Sequence, residues 1–132
     1  MKILNAKICS NGQIFDGEVT VDGERIASVT PKETSSGSDE TIIDAKGMYV
    51  IPGLLDVHFH GCVGYDTCDA SKEAFDKIAA YEGSEGVLAI CPATMTYPED
   101  KLSEIMDIAA DYESPEGADF VGLHLEGPFI NP

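Results

Sequence analysis

Pro52-Gly53-Leu54-Leu55-Asp56-Val57-His58-Phe59-His60-Gly61 is the stretch on which the fold turns. A proline–glycine turn leads into the apolar run 54–57, which ends on two histidines with one residue between them. In an extended strand, residues i and i+2 point to one face, so both imidazoles can reach a single metal ion. Two histidines in a strand are, taken alone, equally compatible with an unmetallated core or loop pair. Their placement directly after the run 52–57 shifts that balance toward a metal.

Two more apolar runs lie downstream, at 87–90 and 120–125, and the three runs start at 54, 87 and 120, 33 residues apart each time. Two amphipathic helices fill the gaps. Residues 71–82 put Phe75, Ile78 and Ala79 on one face, with Ser71 as the N-cap and Gly83 as the stop. The second helix opens at Thr96-Tyr97-Pro98-Glu99, which fits a capping box with proline in the first turn. Leu102, Ile105, Met106 and Ala109 form its expected buried stripe. Apolar strands alternating with helices predict a parallel sheet covered on both faces. A βα period in the low thirties matches a (β/α)8 barrel of roughly 250 residues, whose sites lie at the C-terminal strand ends. Residues 51–132 hold three such units. A doubly wound sheet is the rival, but no glycine-rich phosphate fingerprint follows the first strand.

Upstream, residues 1–50 are β-rich. Strands are expected at 2–9, 17–21, 25–30 and 41–44. Asn11-Gly12, Asp16-Gly17 and Asp22-Gly23 offer turns between the first three. Residues 34–40 are polar and small, and suggest a flexible loop. The segment predicts a small antiparallel sheet or half-sandwich. The expected fold class is therefore α/β: the first three βα units of a (β/α)8 TIM-type barrel (51–132), preceded by part of a small β-sandwich domain (1–50).

Composition narrows the function. A hydrophobic share of 43% and a charged share of 24% are those of an ordinary globular protein. No apolar run approaches the roughly 20 residues of a membrane span, and no signal-peptide pattern opens the chain. The expected address is cytoplasmic, with no membrane partner. A net charge of −16 argues against a nucleic-acid partner, because phosphate backbones require clustered lysine and arginine. Cys9, Cys62, Cys68 and Cys91 form no CxxC pair and suggest reduced thiols. Cys62 lies two residues beyond His60.

Glu126 ends the third apolar run, in Gly122-Leu123-His124-Leu125-Glu126-Gly127-Pro128-Phe129. A carboxylate there is costly unless a cation or hydrogen-bond donors meet it, or unless solvent reaches it. This segment resembles one in the N-acetylglucosamine-6-phosphate deacetylases, and residues 44–61 resemble the opening of the barrel in the amidohydrolase superfamily. Residues 61–66 and 86–96 are similar to the loop after the histidine pair and to the end of the second barrel strand in the same family.

The resemblance implies a divalent metal held by His58, His60 and Glu126: zinc, with iron, manganese or cobalt as alternatives, as one or two ions. Retention of both histidines leans toward two. His124 is assigned packing or a supporting role, and Asp56 no catalytic role. Further histidine ligands, the general base and the phosphate-recognition residues are implied beyond Pro132, so no catalytic residue is assigned within the chain. The implied reaction is hydrolysis of the N-acetyl amide of N-acetylglucosamine 6-phosphate to glucosamine 6-phosphate and acetate. The implied partners are a small amino-sugar phosphate and further copies in a homo-oligomer, and the isolated chain should be inactive. Two alternatives stand beside this: another superfamily member acting on cyclic amides, against which the segment 122–129 speaks, and a non-catalytic metal-binding or interaction module.

Overall fold

The structure, a computed structural model, describes residues 1–31 and 41–131. The expected flexible loop at 34–40 lies outside the described residues. The chain forms two compact units, Met1–Pro52 and Gly53–Pro132.

The first unit is one sheet of five strands: β1 (Lys2–Ser10), β2 (Gln13–Asp22), β3 (Arg25–Pro31), β4 (Ile42–Asp44) and β5 (Tyr49–Val50). Their order is β3-β2-β1-β4, with β5 also on β1. Asn11 and Gly12 make a two-residue turn between paired Ser10 and Gln13, both with positive φ (51° and 73°). That is the geometry a right-twisted hairpin favours. A second hairpin closes where Asp22 pairs with Arg25, with Gly23 at φ 57°.

Two expectations fail here. Asp16-Gly17 is not a turn, because Gly17 sits inside β2, opposite Ala6 and Pro31. A Cβ on Gly17 would come within 2.5 Å of the Thr30 carbonyl oxygen and 2.8 Å of Ile8 Cδ1. The glycine is there for close packing, which the sequence does not distinguish from a bend. The sheet is also mixed rather than antiparallel, since β4 and β5 run parallel to β1. β3 already covers the outer side of β2. The free edge of β1 is met instead through Lys2 N–H to Thr41 O, Ala45 N–H to Leu4 O and Lys7 N–H to Met48 O. Ala6, Ile8, Val19 and Ala45 form the core of this unit.

The second unit contains β6 (Leu54–Asp56), β7 (Gly61–Cys62), β8 (Tyr65–Asp66), a 3-10 turn (Thr67–Asp69), α1 (Lys72–Ser84), β9 (Val87–Ile90), α2 (Glu99–Ala110) and β10 (Asp119–Phe120). β6, β9 and β10 form a parallel sheet with β9 in the middle, and no closed barrel is present among the described residues. Two β/α units follow the opening sheet, and β10 supplies the third strand. No helix among the described residues is long and apolar enough to cross a membrane.

Ser71 caps α1, its Oγ accepting from the Ala74 N–H at 3.1 Å. The helix passes through Gly83, where a stop was expected, and the left-handed residue is Gly86 (φ 91°). Gly83 lies against Gly117, whose Cα would be 2.5 Å from an added Cβ. α2 lacks the expected capping box; Pro98 is its N-cap and makes no side-chain cap. The Thr96 hydroxyl is engaged elsewhere. On α2, Leu102 and Ile105 are buried and Ala109 packs on the core, while Met106, on the flank of the stripe, is exposed.

The strand expected over 120–125 is short. Beyond Phe120 the backbone bonds among the described residues are scattered: Val121 N–H to Ile90 O, His124 N–H to Pro92 O and Thr94 N–H to His124 O, with one bridge between Ala93 and His124. Pro92 has no N–H to give, and Gly122 adopts φ 154°. The core of this unit is aromatic: Phe75, Tyr112 and Phe120 have ring centroids 5.2–5.3 Å apart. Ile78, Ala79, Ile90 and Ala118 form a second cluster.

Candidate metal centre

The backbone after β6 leaves the ladder but stays beside the segment that comes after β9. Cys91 N–H donates to Asp56 O at 2.8 Å, and Ala93 N–H donates to Phe59 O at 2.6 Å. Phe59 packs against the Ile78–Ile90 cluster. The residues on either side of it, His58 and His60, present their imidazoles to Glu126. His60 is fixed from behind: its carbonyl accepts from the Thr67 N–H and the Thr67 hydroxyl, both at 2.7 Å. His58 is held by its own N–H, which donates to Asp56 Oδ1 at 3.0 Å.

All three residues that the sequence nominates come together. Glu126 Oε2 lies 3.7 Å from His58 Nε2 and 3.5 Å from His60 Nε2. One candidate ligand atom from each residue falls within 4.8 Å of the others. The donor set fits a divalent ion. Three donors around a tetrahedral zinc at about 2.0–2.2 Å stand roughly 3.3–3.6 Å apart, and imidazole nitrogens with a carboxylate oxygen are its usual partners. His60 Nδ1 is buried with no hydrogen-bond partner among the described residues, which leaves Nε2 as the nitrogen it presents. The side chains are 34–50% exposed, so one side of the cluster is open.

Other candidates fall outside the cluster. The carboxylate of Asp56 is used on the His58 N–H. Asp66 caps the 3-10 turn, accepting from Cys68 N–H at 2.7 Å. The Cys62 thiol faces the Ile78 carbonyl, 4.0 Å away, and burial, then the charge and hydrogen bond of Glu82, push it up to about 11. The Cys68 thiol accepts from the Met95 N–H at 3.2 Å, and burial pushes its pKa up as well.

Three neighbours of the cluster carry no site role in the sequence, or only a vague one. His124 Nδ1 is 3.0 Å from the Val57 carbonyl, which can only accept, so this nitrogen carries the proton. Its ring also meets His58 edge-on, with centroids 4.7 Å apart at 87°. Thr94 and Thr96 hydrogen-bond the backbone of Glu126. The signal for the threonines was their spacing: alternate residues at a strand end share a face. Thr96 read as a helix cap hid it.

No family model matches the chain. Relatives of known function do. The chain is 31% identical over 135 residues to the N-acetylglucosamine-6-phosphate deacetylase of Bacillus subtilis (strain 168), covering 96% of this chain and 33% of that protein. It is 34% identical over 149 residues to a dihydroorotase of Staphylococcus epidermidis, covering 98% of this chain and 34% of the relative. In fold it matches the crystal structure of the Pasteurella multocida N-acetylglucosamine-6-phosphate deacetylase with a TM-score of 0.83 at 23% identity, covering 98% of this chain and 35% of that one. Over nearly its whole length the chain is similar to members of the amidohydrolase superfamily. Within that superfamily it matches the N-terminal part of the N-acetylglucosamine-6-phosphate deacetylases, and it spans about a third of the length of these relatives.

Proposed function

We propose that this chain carries part of the metal centre of a hydrolase that removes the N-acetyl group of N-acetylglucosamine 6-phosphate. The observation that carries the reading is the convergence of His58, His60 and Glu126 beyond the ends of β6 and β10, the two outer strands of the parallel sheet. The similarity to the Bacillus subtilis deacetylase supports the substrate. Residues 1–50 are then a half-sandwich, and residues 51–132 the opening units of a (β/α)8 barrel.

A divalent ion there would be held by His58 and His60 through imidazole nitrogens and by Glu126 through a carboxylate oxygen, and two neutral ligands with one anion would leave it net positive. Zinc suits this donor set, with iron, manganese or cobalt as alternatives, as one or two ions. A bound ion supplies Lewis acidity toward water and toward the amide carbonyl. The chain's own residues fix its position: Thr67 anchors His60, Asp56 the backbone of His58, and His124 Nδ1–H ties the third strand end to the first at Val57. Proton transfer needs a further group. Among the described residues no carboxylate other than Glu126 joins the cluster. The chain by itself therefore binds metal without turning over substrate.

Four free thiols suit a reducing compartment, and we place the protein in the cytoplasm. Leu54, Leu55, Val57, Leu88, Val121 and Leu125 are exposed, which supports association with further copies. A second reading, a cyclic-amide hydrolase, is favoured by the identity to the dihydroorotase.

Titration of the purified chain with zinc, followed by assays on N-acetylglucosamine 6-phosphate and on dihydroorotate, tests the set. Stoichiometric binding without hydrolysis of either compound is expected. Hydrolysis of the first would reveal a base outside the cluster. Hydrolysis of the second would favour the cyclic-amide reading, and a failure to bind zinc would remove the metal centre altogether.

A further inference from the structure

The peptide of Glu126 is held at both ends by threonine hydroxyls. Its N–H donates to Thr94 Oγ1 at 3.3 Å, and its carbonyl accepts from Thr96 Oγ1 at 2.8 Å. The same segment reaches back once more, with Thr94 N–H donating to the His124 carbonyl at 2.9 Å. Between the threonines, Met95 turns its N–H the other way, onto Cys68 Sγ at 3.2 Å, so the segment is pinned on both sides. Thr94 is fully buried. Thr96 lies against Gly127, where an added Cβ would come within 2.9 Å of Thr96 Cγ2 and 3.1 Å of its Oγ1, and where φ is 103°.

These contacts replace a ladder. A carboxylate at the end of a regular strand is oriented by the backbone bonds on either side of it. Here β10 stops at Phe120, six residues before Glu126, and only isolated backbone bonds continue beyond it. Among the described residues, the two hydroxyls hold the Glu126 N–H and carbonyl where no ladder bond does. We propose that Thr94 and Thr96 are positioning residues that aim the Glu126 carboxylate at His58 and His60, an inference that rests on the metal-centre reading. Fixing the Glu126 backbone before metal arrives spares that ordering on binding, so its loss appears in metal affinity. Gly127 belongs to the same device, since only a residue without a side chain allows Thr96 its approach.

The test is cobalt binding to the whole chain, followed by visible absorption and by competition with a chromophoric chelator, for wild type and five variants. Thr96→Val and Thr94→Val remove the hydroxyls at nearly constant volume, and Thr96→Ser and Thr94→Ser keep them. Glu126→Ala is the reference for loss of a ligand. Thr96→Val should weaken cobalt binding about tenfold, the lower end for outer partners of a metal ligand. Thr96→Ser should restore the affinity to near wild type, with the wild-type absorption bands. The metal-free melting temperature of Thr96→Val should stay close to wild type, because Thr96 bonds a solvent-exposed carbonyl. Thr94→Val should act in the same direction, and should it fail to fold, the Thr96 pair decides alone. Unchanged cobalt affinity in Thr96→Val, or a serine variant as weak as the valine one, would overturn the inference while leaving the centre standing. If Glu126→Ala loses no affinity, the metal-centre reading and the positioning role fall together.

Discussion

The two units reach their strands by different means. In the first, β1, β2 and β3 are 9, 10 and 7 residues long and are joined by two-residue turns. In the second, the parallel strands β6, β9 and β10 have 3, 4 and 2 residues, and their continuations are held by scattered backbone and side-chain bonds. Long ladders fix register and leave little freedom at any one residue. Short ladders release the chain where side chains must converge, and the candidate centre stands where the ladders give out. Regular pairing builds the frame, and the places where pairing stops carry the chemistry.

The largest effect expected from this contrast is in the core of the second unit. Phe75 touches both Tyr112 and Phe120, so Phe75→Ala should cost about 3–5 kcal/mol. Hydrogen exchange should show protection lost across α1 and α2 while β1–β3 keep theirs. Equal loss in both units would mean that they do not differ as described.

Next in size is the ligand set. Glu126→Ala should lower zinc affinity by more than the ~100-fold that marks the upper end for outer partners, measured by chelator competition. Stability without metal should scarcely change, since the carboxylate is partly exposed. A third prediction concerns the regular unit. Gly17→Ala forces a Cβ against the Thr30 carbonyl and should cost about 1–3 kcal/mol in urea denaturation, with no change in zinc affinity.

The smallest effect is a pH dependence. Burial chiefly, together with the hydrogen bond to Asp76, pushes the Tyr112 hydroxyl up to about 12 from an ordinary 10.0, against a lowering by Ser114. A folded pKa above the unfolded one means that the native state holds the proton more tightly. That stabilisation is complete below about pH 10 and is lost as pH rises toward about 12. Tyr112→Phe should flatten the alkaline fall in denaturation midpoint across that window.

Much of this was legible from residues alone. Asn11-Gly12 and Asp22-Gly23 mark their hairpins because glycine accepts positive φ, and the 33-residue spacing marks three successive parallel strands. Ser71 caps its helix as its residue type suggests. Long-range partners decided what was missed. Gly17 and Gly83 look like turn and stop, yet each is a close approach to a distant backbone. Thr96 resembles a cap because Pro98 and Glu99 come after it, and only the fold reveals that its hydroxyl belongs to Glu126, 30 residues away. The direction of β4 was hidden for the same reason: the free edge of β1 has no local signature.

Zinc-edge X-ray absorption on the chain loaded with one equivalent of zinc tests the central claim most directly. Nitrogen and oxygen neighbours at about 2.0–2.2 Å are expected, with imidazole scattering that disappears in the His58→Ala/His60→Ala double variant. A zinc–sulfur shell at about 2.3 Å would contradict it, because the ion would then sit on cysteine. Imidazole scattering that survives in the double variant would contradict it equally.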